Sequence, residues 1–141
     1  MKNIAIIYHD ADFDGKLSNE VCRYHLKRMH PEAAIHSHGW DYGRATPMLV
    51  GFDQIYIVDL SVDELMARHD LHGKIVWIDH HKTAVEDVVG MVHPNLRQIM
   101  DQSHSGAVLA WNYFNPGVEP PIAFRWIEDR DLWKNAIPES E

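Results

Sequence analysis

Three short apolar runs constrain this chain most, because each of them stops at a histidine or an aspartate. The runs are residues 4–8, 55–58 and 75–78, and they lead into His9-Asp10-Ala11-Asp12-Phe13-Asp14, Asp59 and Asp79-His80-His81. Bare apolar runs of this kind are typical of parallel strands buried on both faces. Since ligands bind outside the carboxyl ends of such strands, we expect these acidic and imidazole side chains to meet in one crevice.

The segments between the runs predict helices. Apolar residues recur at near-helical spacing over 16–29, Ser61 and Glu64 form a capping box for a helix to about residue 71, and Ser105 is a good N-cap for 106–114. A last helix is expected from 120–121 to 126 or beyond, a weaker strand at 33–38 and a loop at 38–43. The pattern predicts an α/β fold, a single Rossmann-like domain with a mostly parallel sheet flanked by helices. We expect this domain to span 1–134, with 135–141 as a tail or the start of a linker.

Composition narrows the class of protein. The 141 residues carry a formal net charge of −8, which argues against extensive binding to duplex nucleic acid. Cys22 is the only cysteine, so no disulfide can form within the chain, and no run approaches the ~20 apolar residues of a membrane span. These features predict a cytoplasmic protein without a membrane partner. The 11 His, and 13 Asp against 8 Glu, are unusual, and they are the residue types that metal sites use.

Carboxylates gathered at three strand ends repel one another unless cations neutralise them. A mixture of carboxylates and imidazoles suits Mn²⁺, Mg²⁺ or Zn²⁺, and a shared aspartate can bridge two ions, as in two-metal hydrolysis of phosphate esters. Simpler interpretations exist for each position. Asp59 could be only a helix cap, and His80 and His81 could lie in a solvated loop, but three such coincidences are less plausible than one site.

The four motifs, taken in order, resemble those of the DHH phosphoesterase superfamily, which is named for the triplet Asp79-His80-His81. The first motif is similar to residues 9–15, the second to the strand that ends at Asp59, and the third to 78–82. The fourth is similar to Ser105-Gly106-Ala107 together with 127–133. The resemblance covers residues 1 to about 134.

The resemblance implies a centre for two Mn²⁺ ions, with Mg²⁺ or another divalent metal as the alternative. The implied metal ligands are His9, Asp12, Asp14, Asp59, His80 and Asp129, with Asp59 bridging the ions. It also implies that His81 faces the substrate phosphate and that Asp79 orients His80. Two positions stay open. Asp10 is an alternative to His9, and Asp131 is an alternative to Asp129, which we favour because it follows the apolar Trp126-Ile127 most closely.

The activity implied is hydrolysis of a phosphodiester, in a short oligonucleotide or a cyclic dinucleotide, by a metal-activated water. The alternatives are a phosphomonoesterase, a pyrophosphatase, or a nucleotide-binding module without turnover. The expected partner is a small phosphate ester, a nucleotide or a short single strand, and a homo-oligomer is possible. Members of the superfamily usually carry a second, C-terminal substrate domain, so we expect the given sequence to be either a natural single-domain form or a truncated one.

Several further residues are candidates for contacting that substrate. Lys82, Arg130 and Arg44 could bind phosphate, although each could equally be a surface cation. Backbone N–H groups at Ser105 and Gly106 could bind an anion at the start of a helix. Trp40 and Tyr42 are the better candidates for stacking on a base.

Overall fold

A computed structural model describes residues 1–66, 68–82 and 97–136. Its strands are β1 (Asn3–His9), β2 (Ala34–Trp40), β3 (Gln54–Val58), β4 (Ile75–Asp79) and β5 (Arg97–Met100). Its helices are α1 (Phe13–Met29), α2 (Asp63–Met66), α3 (Gly106–Phe114) and α4 (Ile122–Ala136), with a 3-10 helix at His69–Lys74. Among these residues, no helix combines the length and apolar content needed to cross a membrane.

The five strands form one parallel sheet in the order β2-β1-β3-β4-β5. Helices accompany this sheet, so the predicted α/β, Rossmann-like fold is confirmed. The order of the strands reverses between β1 and β3, because the chain moves to one side of β1 for β2 and to the other side for β3. In open α/β sheets, this reversal opens a crevice at the carboxyl ends of the strands, where ligands bind.

Alternate strand residues fill two separate cores. On one face, strand residues such as Ile6, Val58 and Ile78 pack with α1 and α3. On the other face, Ile7, Ile57 and Trp77 and their neighbours pack with residues from the end of β2, from the connecting segments and from α2: Trp40, Leu49, Leu60, Val62 and Leu65. Burial on both faces explains why these strands are apolar without interruption.

The expected secondary structure is correct for most elements and wrong in three places. The strands at 55–58 and 75–78 and the helices at 16–29 and 106–114 are present. The predicted loop at 38–43 begins later, because β2 continues to Trp40, whose ring is buried in the second core. The helix expected from Ser61 to about residue 71 is instead a four-residue α2 followed by the 3-10 helix. Strand β5 was not predicted, and residues 137–141 of the expected tail lie outside the described residues.

Candidate metal centre

Three adjacent strands bring the predicted site residues together. His9 is the last residue of β1, Asp59 directly follows β3, and Asp79 ends β4 immediately before His80. Because β1, β3 and β4 are neighbours in the sheet, these side chains converge at one edge. Asp12 and Asp14, at the start of α1, complete the group from the β1 side.

Asp59 lies at the centre of the cluster. Its side chain is fully buried, with Oδ1 2.9 Å from His80 Nε2 and Oδ2 3.9 Å from His9 Nδ1. Oδ2 has no hydrogen-bond partner among the described residues, and neither has Nδ1 of His9. Burial raises the pKa of Asp59 well above its usual value, and the charges of Asp14 and Asp12 add to this although His80 opposes it. The backbone of Asp59 is left-handed, with φ of 64°, a conformation that costs a non-glycine residue about 1–3 kcal/mol.

One half of the cluster is formed by His9, Asp12 and Asp59, whose ligand atoms lie within 4.8 Å of one another. His9 donates from Nε2 to Oδ1 of Asp41 over 3.0 Å, since a carboxylate can only accept. In the neutral imidazole this leaves Nδ1 as the acceptor, and Nδ1 lies 3.8 Å from Oδ2 of Asp12. A carboxylate behind an imidazole is the usual way in which proteins orient a metal-binding histidine.

The other half is formed by Asp14, His80 and Asp131, again within 4.8 Å of one another. Nε2 of His80 lies 3.3 Å from Oδ2 of Asp14 and 3.6 Å from Oδ2 of Asp131. Asp14 is held from behind by the first turn of α3, because the N–H groups of Gly106 and Ala107 donate to its two oxygens over 2.9 Å each. Oδ2 of Asp131 has no hydrogen-bond partner among the described residues.

In this half, His80 lies among the carboxylates of Asp14, Asp59 and Asp131. Burial acts to lower the pKa of His80, but hydrogen bonds and charges from Asp14 and Asp59 outweigh it and raise that pKa to about 11. Burial also acts to raise the pKa of Asp14, and its bonds to His80 and to the α3 backbone reverse the shift, so that its pKa is lowered. Without an ion, an imidazolium is therefore the positive charge that balances these carboxylates. The donor set, with buried atoms that have no hydrogen-bond partner in the described part of the chain, fits divalent cations that prefer oxygen and imidazole ligands.

Asp79 orients a different histidine from the one expected. Its Oδ1 accepts from the ring Nδ1 of His81 over 2.7 Å and from the backbone N–H of His80 over 2.8 Å. The His80 ring is instead oriented by Asp14 and Asp59, so the expected role of Asp79 toward His80 is limited to the backbone. His81 is partly exposed at the rim, and its hydrogen bond to Asp79 raises its pKa.

Two glycines permit the close packing around this cluster. A Cβ at Gly106 would lie 2.8 Å from Oδ1 of Asp59, and a Cβ at Gly15 would lie 1.8 Å from the backbone oxygen of His9. A side chain at either position would displace a residue of the site. The glycines of the first and fourth motifs are therefore required by the approach of the helix starts to the strand ends.

The structure separates the two pairs of alternatives. Asp10 forms an ion pair with Arg44, at 2.6 Å from Nη1, so His9 is the member of its pair that faces the cluster. On α4, Asp131 faces His80 whereas Asp129 is exposed and lines a cavity with His104 and Glu128. Residues two apart on a helix point about 200° apart, so only one of the two can face the site. The position of Asp131 favours it over Asp129 as the residue of α4 in the cluster. The apolar Trp126, on which the preference for Asp129 rested, is itself exposed.

Hydrogen bonds and ion pairs within the chain also change what is expected of Gly106 and Arg44. The N–H group of Gly106 binds Asp14, so at that position the start of α3 holds a ligand residue of this chain and not a substrate anion. The guanidinium of Arg44, a candidate for binding phosphate, forms an ion pair with Asp10. Asp41, which fixes the His9 ring, was not foreseen, because it follows β2 in a loop that no strand pattern or motif marks.

The comparisons with known proteins assign no family to this chain. No protein-family model matches it, and no solved structure matches it. A 76-residue stretch is 32% identical to the uncharacterized protein R106 of Acanthamoeba polyphaga mimivirus, covering 54% of this chain and 18% of that protein. The matched stretch therefore spans under a fifth of that relative, whose name assigns no activity.

Proposed function

We propose that this chain is a metal-dependent phosphohydrolase that cleaves a phosphodiester, in a short oligonucleotide or a cyclic dinucleotide. The observation that carries this proposal is the position of Asp59. One oxygen of its buried carboxylate faces His80 and the other faces Nδ1 of His9, and neither that oxygen nor Nδ1 has a hydrogen-bond partner among the described residues. A carboxylate placed in this way suits a bridge between two cations.

The ligands divide into two sets around that bridge. His9, Asp12 and Asp59 would hold one ion, and Asp59, Asp14, His80 and Asp131 would hold the other. Mn²⁺ is the ion we expect and Mg²⁺ the alternative, because both accept carboxylate oxygens and Mn²⁺ accepts imidazole readily. The order of the motifs along the chain, which resembles that of the DHH superfamily, supports the same assignment.

The protein's own groups suit an anionic substrate. When bound, divalent ions would make a water a stronger nucleophile and stabilise charge on a phosphoryl group. His81 is the partly exposed histidine at the rim, and Asp79 holds its ring and raises its pKa, which favours the protonated form. A protonated His81 would donate a hydrogen bond to a phosphoryl oxygen. Asp41 would orient the neutral His9 ring with its proton on Nε2, so that Nδ1 faces the ion.

A titration tests the metal centre. Mn²⁺ binding is measured by isothermal titration calorimetry on the wild type, on Asp59→Asn, and on Asp70→Asn as a control. Asp70 is an exposed aspartate paired with Arg68 away from the cluster. We expect two ions per chain in the wild type and in Asp70→Asn, and at least one lost in Asp59→Asn. Unchanged stoichiometry and affinity in Asp59→Asn would contradict the bridging role.

A substrate panel tests the reaction. The Mn²⁺-loaded protein is incubated with oligoribonucleotides, cyclic dinucleotides, nucleoside monophosphates and pyrophosphate, and His80→Ala serves as the inactive control. Release of nucleotides from the phosphodiesters, lost in His80→Ala, is the expected result. Phosphate release from only the monophosphates or pyrophosphate would favour those activities instead, and binding without any release would leave a nucleotide-binding module.

A further inference from the structure

A second cavity lies beside the metal centre, at the carboxyl ends of β2 and β3. Its volume is about 310 Å³, and it is bounded by the segment after β2 and by the segment between β3 and α2. Small-molecule sites commonly measure about 300–1,000 Å³, so this cavity suits a group the size of one ring system. The residues that matter here are Trp40, Tyr42, Arg44, Ser61, Asp63 and Glu64.

Tyr42 forms the wall between this cavity and the metal centre. Its ring centroid lies 5.9 Å from that of His9 and 5.5 Å from that of Trp40, with both pairs inclined by 69°. More than half of Tyr42 is exposed, at 56%, although its hydroxyl accepts from the N–H of Ser61 over 3.2 Å. The ring is therefore held in place while much of its surface stays open.

The segment that carries Tyr42 is fixed at both ends to the site. Asp41 accepts from His9 and from the N–H of Tyr42, and Arg44 is bonded to Asp10, the neighbour of His9. The ring of Trp40 donates to the backbone oxygen of Ala45 over 2.9 Å. An aromatic surface held this firmly loses little conformational freedom when a ligand stacks on it.

We infer that this cavity binds the nucleobase of the substrate, stacked on Tyr42, while the phosphate lies at the metal centre. The inference rests on the proposed function and names its substrate class as a nucleotide. A nucleobase offers a flat aromatic face to the ring and N–H groups at its edge. The carboxylates of Asp63 and Glu64, which also line the cavity, can accept hydrogen bonds from such groups. Phosphate esters without a base would leave this surface unused.

The test compares two ligands that differ only in the base. Binding of guanosine 5′-monophosphate and of ribose 5-phosphate is measured by calorimetry with Mg²⁺ on the wild type, Tyr42→Leu, Tyr42→Phe and Tyr24→Leu. Tyr24 is a matched control, because it is similarly exposed on α1 and is not among the residues that bound the cavity. Stacking on an aromatic side chain contributes about 5- to 100-fold in affinity per base.

We expect the nucleotide to bind the wild type more tightly than ribose 5-phosphate by about that factor. Tyr42→Leu should abolish the difference, whereas Tyr42→Phe and Tyr24→Leu should retain it. Equal affinities for the two ligands in the wild type, no measurable nucleotide binding at millimolar concentration, or an unchanged preference in Tyr42→Leu would each overturn the inference.

These experiments distinguish a failure of the base subsite from a failure of the proposed hydrolase function. If the wild type binds no Mn²⁺ and cleaves no phosphodiester, but the base preference is present and depends on Tyr42, the hydrolase proposal fails and the base subsite stands. If phosphodiesters are cleaved but the base makes no difference, the subsite fails alone.

Discussion

The carboxylate of Asp131 lies 3.6 Å from Nε2 of His80, although 51 residues separate the two in sequence. Asp129, one helical half-turn away, points outward. These two aspartates form a matched pair, because they share helix α4 and differ in the face that they occupy.

We predict that Asp131→Asn weakens binding of the ion near His80 by at least about tenfold, since one carboxylate charge is worth more than 1.4 kcal/mol in a half-buried site. Asp129→Asn should bind Mn²⁺ as the wild type does. Calorimetric titration of both variants distinguishes them, and a loss of affinity in Asp129→Asn alone would show that the assignment on α4 is reversed.

Asp59→Asn should make the metal-free protein more stable, by about 1 kcal/mol. Burial disfavours the charge of Asp59, and Asp14 and Asp12 repel it, which together outweigh its attraction to His80. Asparagine removes that charge and tolerates the left-handed backbone at this position better than most residues. Thermal unfolding in EDTA measures the gain. On addition of Mn²⁺ the wild type should become more stable and the variant should respond much less, because only binding to the folded state stabilises it. If Asp59→Asn is less stable than the wild type in EDTA, the predicted gain in stability is contradicted.

Gly106→Ala should both destabilise the protein and weaken metal binding. The added Cβ would lie 2.8 Å from Oδ1 of Asp59, so that carboxylate or the start of α3 must move. We expect a loss of about 1–3 kcal/mol in the free energy of unfolding, measured in urea. Gly73→Ala is the control, because a Cβ there meets no atom within 4 Å. Equal losses in the two variants would indicate a general effect of the substitution.

Stability should fall as the pH falls below about 6.5, with His38 as one cause. Burial, and then the charge of His36, lower the pKa of His38 in the folded state, and its buried Nε2 has no hydrogen-bond partner among the described residues. The unfolded chain therefore binds a proton at a higher pH than the folded chain, and protonation favours unfolding. Replacing His38 by Gln should flatten the change in unfolding free energy between pH 7.5 and pH 5.5, whereas His30→Gln should not. An unchanged slope in His38→Gln would exclude this residue as the cause.

The periodicity of the sequence was enough to predict the fold and the place of the site. Uninterrupted apolar strands require burial on both faces, and this alone predicts a parallel sheet with helices, whose strand ends meet at one edge. The short 3-10 helix and β5 escaped prediction, because four- to six-residue elements carry too few apolar repeats to be recognised.

The sequence by itself therefore determined that His9, Asp59 and His80 lie near one another, since each adjoins the end of a buried strand. Only the tertiary structure decided which residues complete the cluster. Asp41 reaches His9 across 32 residues, and the N–H of Gly106 reaches Asp14 across 92. The rotation of α4 presents Asp131 and turns Asp129 away. Such choices depend on how a helix or loop packs on the sheet, and local sequence does not encode that orientation.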